Sequence, residues 1–188
     1  MREDEGRLQN KCPFCRKVVP STYDGAIEIL MKRIEANDPY AMREMGTVRY
    51  HERDYASAFE YFTKAAALGD VLGRHQLSVS YLEGRGVEKD EKKFLHHTEQ
   101  AAIGGSPHAR HNLGCFEEEN GRVDRAAKHY IIAAKLGYDE SLGHVKDLYK
   151  RGLVSKEDFA AALRGHQAAI DATKSPQREA AEAAKISE

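Results

Sequence analysis

The chain has 188 residues, of which 41% are hydrophobic and 31% are charged, and its formal net charge at pH 7 is −1. This composition is typical of a folded globular protein and excludes a wholly disordered one. A net charge this close to zero does not indicate nucleic acid or an anionic membrane surface as a partner. No run approaches the ~20 consecutive apolar residues that a membrane-spanning helix needs, so no membrane span is expected.

The expected compartment follows from the cysteines and from the first residues. The chain has three cysteines, and an odd number argues against a disulfide scaffold. The sequence begins Met-Arg-Glu-Asp-Glu and leads into no apolar stretch, which is not typical of a secretory signal. We therefore expect an intracellular protein, most simply a cytoplasmic one.

Residues 1–22 are expected to form a flexible tail that carries a pair of cysteines, Cys12 and Cys15. The Cys-x-x-Cys spacing suits two of the four ligands of a tetrahedral zinc site. The motif Cys-Pro-Phe-Cys-Arg at 12–16 resembles the last ligand pair of a RING-type zinc finger, but no Cys or His precedes Cys12 to supply the other ligands. Three interpretations stay open: a remnant that no longer binds metal, a half-site completed by a second chain or by a lost upstream segment, and a chance or redox pair. No other cofactor is expected.

Residues 23–172 are predicted to form a repeat domain. An Ala pair recurs near the end of each of the first three units at spacings of 36 and 32 residues. A small residue followed four positions later by an apolar one opens each unit, at Ala41/Met45, Gly73/Leu77, Ala109/Leu113 and Ser141/Val145. Such regular recurrence is the signature of stacked repeats. After a capping-helix segment at 23–36, the repeats are expected at about 37–69, 70–105, 106–137 and 138–172.

Helix start signals divide each repeat into two helices. Asp38 and Ser106 are each followed by proline, the arrangement of an N-cap and a first helical residue. Asp54 is positioned to cap a second helix, and Ser155 has the spacing of a capping box. Residues 173–188 are rich in Ala, Glu and Lys and are expected to be disordered or frayed. The predicted helices are 24–36, 39–51, 55–68, 71–83, 91–104, 107–119, 123–136, 139–151 and 156–171.

The second repeat carries a recognisable family pattern. It reads Gly-x3-Leu-x3-Tyr-x2-Gly-Arg-Gly-Val-x2-Asp from Gly73 to Asp90 and ends in Ala-Ala-x-x-Gly. This pattern resembles the Sel1-like repeat, a relative of the tetratricopeptide repeat, and the resemblance covers about residues 37–172. Repeats one and three lack the Gly-Val insertion, and repeat four loses the Ala-Ala-Gly ending. The resemblance implies an all-α fold, an α/α solenoid of stacked antiparallel helix pairs, and a scaffold for protein complexes without a reaction of its own.

A tetratricopeptide-like stack lines a concave groove with the first helix of each repeat. Residues at i, i+3, i+7 and i+10 share one face of a helix, and this spacing predicts the groove. The predicted groove residues are Tyr40, Arg43, Thr47, Tyr50, His75, His108, His111, Glu118 and Lys150, accompanied by His51, Val79, Cys115, Asp147 and Arg151. Tyr, His and Arg suit partly desolvated contacts with a peptide. We expect the chain to be a non-catalytic protein-interaction scaffold or adaptor, with a partner segment that places a carboxylate near Arg43.

Two other function classes stay open beside the scaffold. The first is the substrate-recruiting part of a RING-type ubiquitin ligase with a truncated or shared zinc finger. The second is a metal-binding protein or enzyme that uses the face of His75, His108, His111 and Cys115, although groove or packing roles are the simpler interpretation of these side chains. Residues 117–119, three consecutive glutamates, are predicted to be a solvated helix end. The sequence shows no nucleophile–base–acid arrangement and no phosphate loop, so no enzyme is expected.

Overall fold

The computed structural model describes residues 22–174, and within this range it contains nine α-helices and no strand. Every predicted helix is present, and no bound differs from the prediction by more than two residues, so the all-α prediction is confirmed. None of these helices is long and apolar enough to cross a membrane. The predicted tails, up to residue 21 and from residue 175, lie outside the described residues. The helices are α1 (Tyr23–Glu35), α2 (Pro39–His51), α3 (Tyr55–Ala67), α4 (Val71–Glu83), α5 (Glu91–Ile103), α6 (Pro107–Glu119), α7 (Val123–Lys135), α8 (Asp139–Lys150) and α9 (Lys156–Thr173).

Side-chain caps begin most of the helices where the sequence predicts them. Asp38 accepts hydrogen bonds from the backbone N–H groups of Tyr40 and Ala41, with proline at the first helical position. Ser106 caps α6 in the same way, and Ser155 caps α9. Each cap satisfies a backbone donor that has no partner inside the helix, which fixes the point where the chain turns back on itself.

The helices stack as pairs, each pair packing against the next. Contacts run within pairs, between α2 and α3, α4 and α5, and α6 and α7, and between pairs, from α3 to α4, α5 to α6 and α7 to α8. The small residues that open each repeat are buried, as are the alanine pairs that close the first three repeats. Small side chains let neighbouring helix axes approach closely, so the core is built mainly from alanines and a few larger apolar residues.

Two glycines let an aromatic ring lie directly on a helix backbone. A Cβ added to Gly46 would lie 2.6 Å from the ring of Phe62, and one added to Gly114 would lie 2.5 Å from the ring of Tyr130. Both rings are almost fully buried. The first and third repeats therefore lock their two helices together by the same contact.

The loop between α4 and α5 turns at two glycines with positive φ, as the Gly-x-Gly-Val motif predicts. Gly84 has φ +74° and Gly86 has φ +75°. A Cβ on Gly86 would lie 2.6 Å from the carbonyl carbon of Tyr55 and closer still to its oxygen. Residues other than glycine disfavour this backbone region, so the loop can rest against the start of α3 only because Gly86 has no side chain.

The two ends of the described stack are packed differently. In α1 no residue is fully buried. In α9, by contrast, Ala162 and His166 are buried, and the helix packs against both α7 and α8. His166 Nε2 lies 2.6 Å from Asp139 Oδ1 at the start of α8.

Candidate functional site

The first helices of the repeats, α2, α4, α6 and α8, lie side by side, as side-chain contacts between neighbours show. Tyr50 on α2 donates a hydrogen bond of 3.4 Å to Glu83 on α4. The rings of His75 on α4 and His108 on α6 have centroids 5.5 Å apart. His111 Nδ1 on α6 lies 2.9 Å from Ser141 Oγ on α8. These four helices form one continuous surface, here called the first-helix face, which carries the predicted groove residues.

Arg43, the residue expected to bind a partner carboxylate, is already occupied within the chain. Its Nη1 lies 2.6 Å from Glu44 Oε1, and its Nε lies 3.2 Å from Asp70 Oδ1. The ring of Tyr40 covers the guanidinium at 4.8 Å, and the Arg43 side chain is only 15% exposed. The placement therefore argues against a partner carboxylate at Arg43, because two internal carboxylates already neutralise this charge.

Other predicted groove residues on α2 and α8 are also engaged with their own surroundings. The Thr47 hydroxyl donates to the Arg43 carbonyl at 3.1 Å. The Arg85 guanidinium lies over the Tyr50 ring at 5.1 Å. Lys150 donates to Asp147 at 3.1 Å on the exposed surface of α8. Polar side chains at the predicted positions are thus mostly paired inside the chain.

On α4, in contrast, the first-helix face is apolar and open. Leu72, Val79 and Leu82 follow the spacing i, i+7 and i+10 and share one side of the helix with His75; these four residues are here called the α4 stripe. Leu72 is 40% exposed and Leu82 47% exposed. Sequence reasoning named His75 and Val79 but missed the two leucines, although the same spacing rule selects them.

His75 is neutral at physiological pH. Burial, followed by the nearby His108, lowers its pKa from 6.5 to about 4. Its Nδ1 is buried and has no hydrogen-bond partner within the described residues. Because a neutral imidazole adds no charge between the leucines and the valine, the whole α4 stripe is uncharged.

On α6 the predicted residue Glu118 is the centre of a polar cluster that joins α6 to α7 and α8. It accepts a hydrogen bond of 2.8 Å from the hydroxyl of the buried Tyr130. His144 Nδ1 lies 3.6 Å and Arg151 Nη1 lies 3.8 Å from its carboxylate oxygens. These four residues are here called the Glu118 cluster. His144 was not predicted, and its stacking on the Tyr130 ring, with centroids 4.4 Å apart, has no signal in the sequence.

A thiol and an imidazole meet beside this cluster, at the edge of a cavity of about 270 Å³ lined by Cys115, Glu118, Glu119, Tyr130 and His144. Cys115 Sγ lies 3.5 Å from His111 Nε2. Burial raises the pKa of the Cys115 thiol, and the carboxylates of Glu119 and Glu118 raise it further. A nucleophilic cysteine needs a lowered pKa, so this pair does not have the properties of an activated nucleophile.

The residues considered as metal ligands come together only in pairs. His75 contacts His108, and His111 contacts Cys115. Within residues 22–174 no three or more side chains of His, Cys, Asp or Glu are grouped so that they could hold a metal ion. Cys12 and Cys15 lie outside the described residues, so the incomplete zinc site stays a prediction.

The three glutamates at the end of α6 differ from one another. Glu117 is only 5% exposed and is held by Arg122 and by Arg125, whose Nη2 lies 3.0 Å from its carboxylate. Glu118 belongs to the cluster above, and Glu119 alone is exposed. The predicted solvated helix end is therefore wrong for Glu117, because the turn into α7 brings two arginines over it, and for Glu118, because Tyr130 donates to it.

The repeated helix pairs, their small-residue crossings and the turn at Gly86 define an α/α solenoid repeat protein. The sequence model of the Sel1 repeat matches residues 39–70, 72–106 and 107–138. These matches cover more than half of the chain, which belongs to the Sel1 repeat family. Proteins of this family typically serve as protein-interaction scaffolds, and the fold is generally non-catalytic.

Solved structures have the same architecture. A Sel1 repeat protein from Oxalobacter formigenes is 27% identical, with a TM-score of 0.68 over 82% of this chain and 66% of that one. The antigen c5321 of uropathogenic Escherichia coli is 23% identical, with a TM-score of 0.63 over 81% of this chain and 34% of that one. The second likeness shows the fold alone.

Two curated proteins are similar in sequence. The mouse protein named DAP3-binding cell death enhancer 1 is 26% identical over 175 residues, which cover 72% of this chain and 34% of the relative. HcpC of Helicobacter pylori, a protein provisionally named as a beta-lactamase, is 41% identical over 56 residues, or 30% of this chain and 19% of HcpC. The chain thus spans about a third or less of the length of these relatives.

Proposed function

We propose that this chain is a non-catalytic adaptor that binds a segment of another protein on its first-helix face, with the α4 stripe as the main contact. The α4 stripe carries this proposal, because it places Leu72, Val79 and Leu82 in one row on a shared surface. Leu72 and Leu82 are exposed, and Val79 between them is partly buried. Exposed apolar side chains that share one surface are typical of interaction sites, whereas single ones are ordinary.

The polar side chains elsewhere on the first-helix face already have partners within the chain, which supports this role. Arg43 and Glu118 are paired within the chain, so they hold neighbouring helices in place and do not compete for a ligand. A rigid row of helices loses little entropy when a partner binds. Stacked repeats also present long continuous surfaces, which suit a segment of a protein more than a small molecule.

The names of the relatives favour a protein-binding role over a catalytic one, but they do not specify the partner. The mouse relative is named for binding another protein, DAP3. HcpC is named as an enzyme, but its match covers 30% of this chain. We propose protein segments as the partners of this chain, and no reaction, cofactor or nucleic acid.

Affinity capture with matched variants tests the proposal. Tagged wild-type chain, Leu82→Asp and Ile103→Asp would each be incubated with a lysate of the source cells, and captured proteins would be quantified by mass spectrometry. Ile103 is 74% exposed at the end of α5, outside the first-helix face, and serves as the control. Expected is at least one protein that wild type and Ile103→Asp retain and Leu82→Asp loses. Equal retention of every captured protein by all three chains would contradict the proposal.

A further inference from the structure

We infer that the partner segment carries apolar side chains opposite the α4 stripe and a lysine or arginine over the C-terminal end of α6, beside Glu119. This inference rests on the proposed function and specifies the chemistry of its ligand. It reverses the charge expected from the sequence, which was a partner carboxylate at Arg43.

Around the α4 stripe, the first-helix residues predicted to carry a charge are already paired or neutral. Arg43 is neutralised by Glu44 and Asp70, and the pKa of His75 is about 4. Burial and the neighbouring His144 lower the pKa of His111 as well. A charged side chain placed against this surface would lose its hydration without gaining a partner, so the segment that covers the stripe has to be apolar there.

At the C-terminal edge of the same face, arginines from outside the first helices pair with Glu83, Glu117 and Glu118, and the helix ends themselves add a negative contribution. The first helices run in the same direction, so their carbonyl ends lie along one edge, and each such end carries a partial negative charge. Basic residues stand in the last turn of α2 and of α8, but none stands in the last turn of α4 or α6. The ends of α4 and α6 thus lack a cation of their own helix to complement them.

Of the described carboxylates at this edge, one is free. Glu83 is paired with Arg85 at 3.1 Å, and Glu118 is held in its cluster. Glu119 is exposed and makes no ion pair or hydrogen bond within the described residues. It lines the same cavity as Cys115 and His144. A cationic side chain of a partner placed at this point interacts favourably with both the C-terminal end of α6 and the unpaired carboxylate of Glu119.

The spacing of the two features fits one short segment. Leu82 and Glu119 lie at the ends of neighbouring first helices, whose axes are typically about 8–10 Å apart. An extended chain spans this distance in about three residues at roughly 3.3 Å each. From Leu72 to Leu82 the α4 stripe is about 15 Å long, at 1.5 Å per helical residue. A partner segment in extended conformation covers this length with about five residues. The basic residue is therefore expected about three residues beyond the apolar one that covers Leu82.

Selection from a phage-displayed library of random 12-residue peptides on the immobilised full chain tests this inference. Enriched sequences would be synthesised with a fluorescent label, and their affinities would be measured by anisotropy. Expected are peptides with apolar residues followed by Lys or Arg, bound about three- to tenfold more weakly by Glu119→Lys and not detectably by Leu82→Asp. Glu119→Gln should have an intermediate effect. Glu60→Lys, the same charge change at an exposed position of α3, should leave the affinity unchanged.

The outcomes separate this inference from the proposed function. Peptides that need Leu82 but are acidic, or that bind wild type and Glu119→Lys equally, would overturn the inferred charge and leave the binding role intact. If no enriched peptide depends on Leu82, the α4 stripe is not a docking surface and the proposed function fails with it. Circular dichroism spectra identical to that of the wild type would show that each exposed-site variant is folded.

Discussion

The α4 stripe and the matching positions of α6, which end at Glu118 of the Glu118 cluster, are equivalent in the repeat, yet the first is largely open and the second is closed. On α4 these positions hold two exposed leucines, a partly buried valine and a neutral histidine whose ring lies against His108 of α6. On α6 they hold polar groups that bond to α7 and α8, such as Glu118 to Tyr130 and His111 to Ser141. Equivalent positions in a repeat therefore become a binding surface or a structural joint according to what the next repeat supplies.

The largest expected effect is on the loop that fixes α4 in the stack. Gly86→Val should lower the free energy of unfolding by about 3 kcal/mol or more, because the side chain meets the Tyr55 backbone and the residue has positive φ. Gly105→Val is the matched control, since Gly105 also has positive φ but faces open space, and it should cost about 1–2 kcal/mol. Urea denaturation measures both, and equal losses would show that the contact with Tyr55 is not what requires glycine.

Acid should destabilise the folded chain through His75, a residue of the α4 stripe. Its pKa is about 4 when folded and about 6.5 when unfolded, so between these values the unfolded chain binds more protons and stability falls as pH falls. From pH 7 to pH 4 this residue should contribute a loss of about 2–3 kcal/mol. His75→Gln does not titrate, so its unfolding free energy should fall less steeply. Parallel curves for the two chains in urea titrations at pH 7, 5.5 and 4 would contradict this assignment.

A smaller loss is expected in the Glu118 cluster. Tyr130→Phe keeps the buried ring and removes only the hydroxyl that donates to Glu118, which should cost about 1–2 kcal/mol. Tyr61→Phe on α3 is the control, because the Tyr61 hydroxyl makes no hydrogen bond within the described residues. Its unfolding midpoint in urea should stay within experimental error of the wild type. If both variants behave alike, the cluster is not a structural joint.

The smallest effect on stability is expected in the α4 stripe itself. Leu82→Gln changes a side chain that is 47% exposed without adding a charge to the end of α4, so its unfolding free energy should change by no more than about 0.5 kcal/mol. A thermal melt compared with that of Tyr130→Phe measures the contrast directly. A loss as large as that of Tyr130→Phe would mean that Leu82 belongs to the core and that the two regions do not differ in role.

The fold could be predicted from the sequence because its signals are local. Caps such as Asp38 and Ser106, the alanine pairs and the Gly-x-Gly-Val loop each fix a helix boundary or a crossing within a few residues. The helical spacing of residues also predicted that Arg43 and His111 lie on the first-helix face. These signals depend on backbone geometry that neighbouring residues dictate, so no tertiary information was needed.

The candidate site could be predicted only in part, because pairing depends on residues from other helices. The spacing of residues along α6 does not show that Glu118 bonds to Tyr130, or that Arg122 folds back over Glu117. Which charges are free is therefore a property of the folded stack. Leu72 and Leu82 follow the spacing rule as well as His75 does, but apolar side chains at such positions fit a buried core equally well until their exposure is known.

The absence of any fully buried residue in α1 has a consequence for hydrogen exchange. Within residues 22–174, α1 packs mainly against α2, so its opening does not require the other described helices to unfold. Amide protons of α1 should therefore exchange with solvent through local fraying, orders of magnitude faster than those of α7, which packs against α6, α8 and α9. Deuterium uptake followed by mass spectrometry would then rise from the middle of the described stack toward α1, and a protease would cut first at that end of the stack.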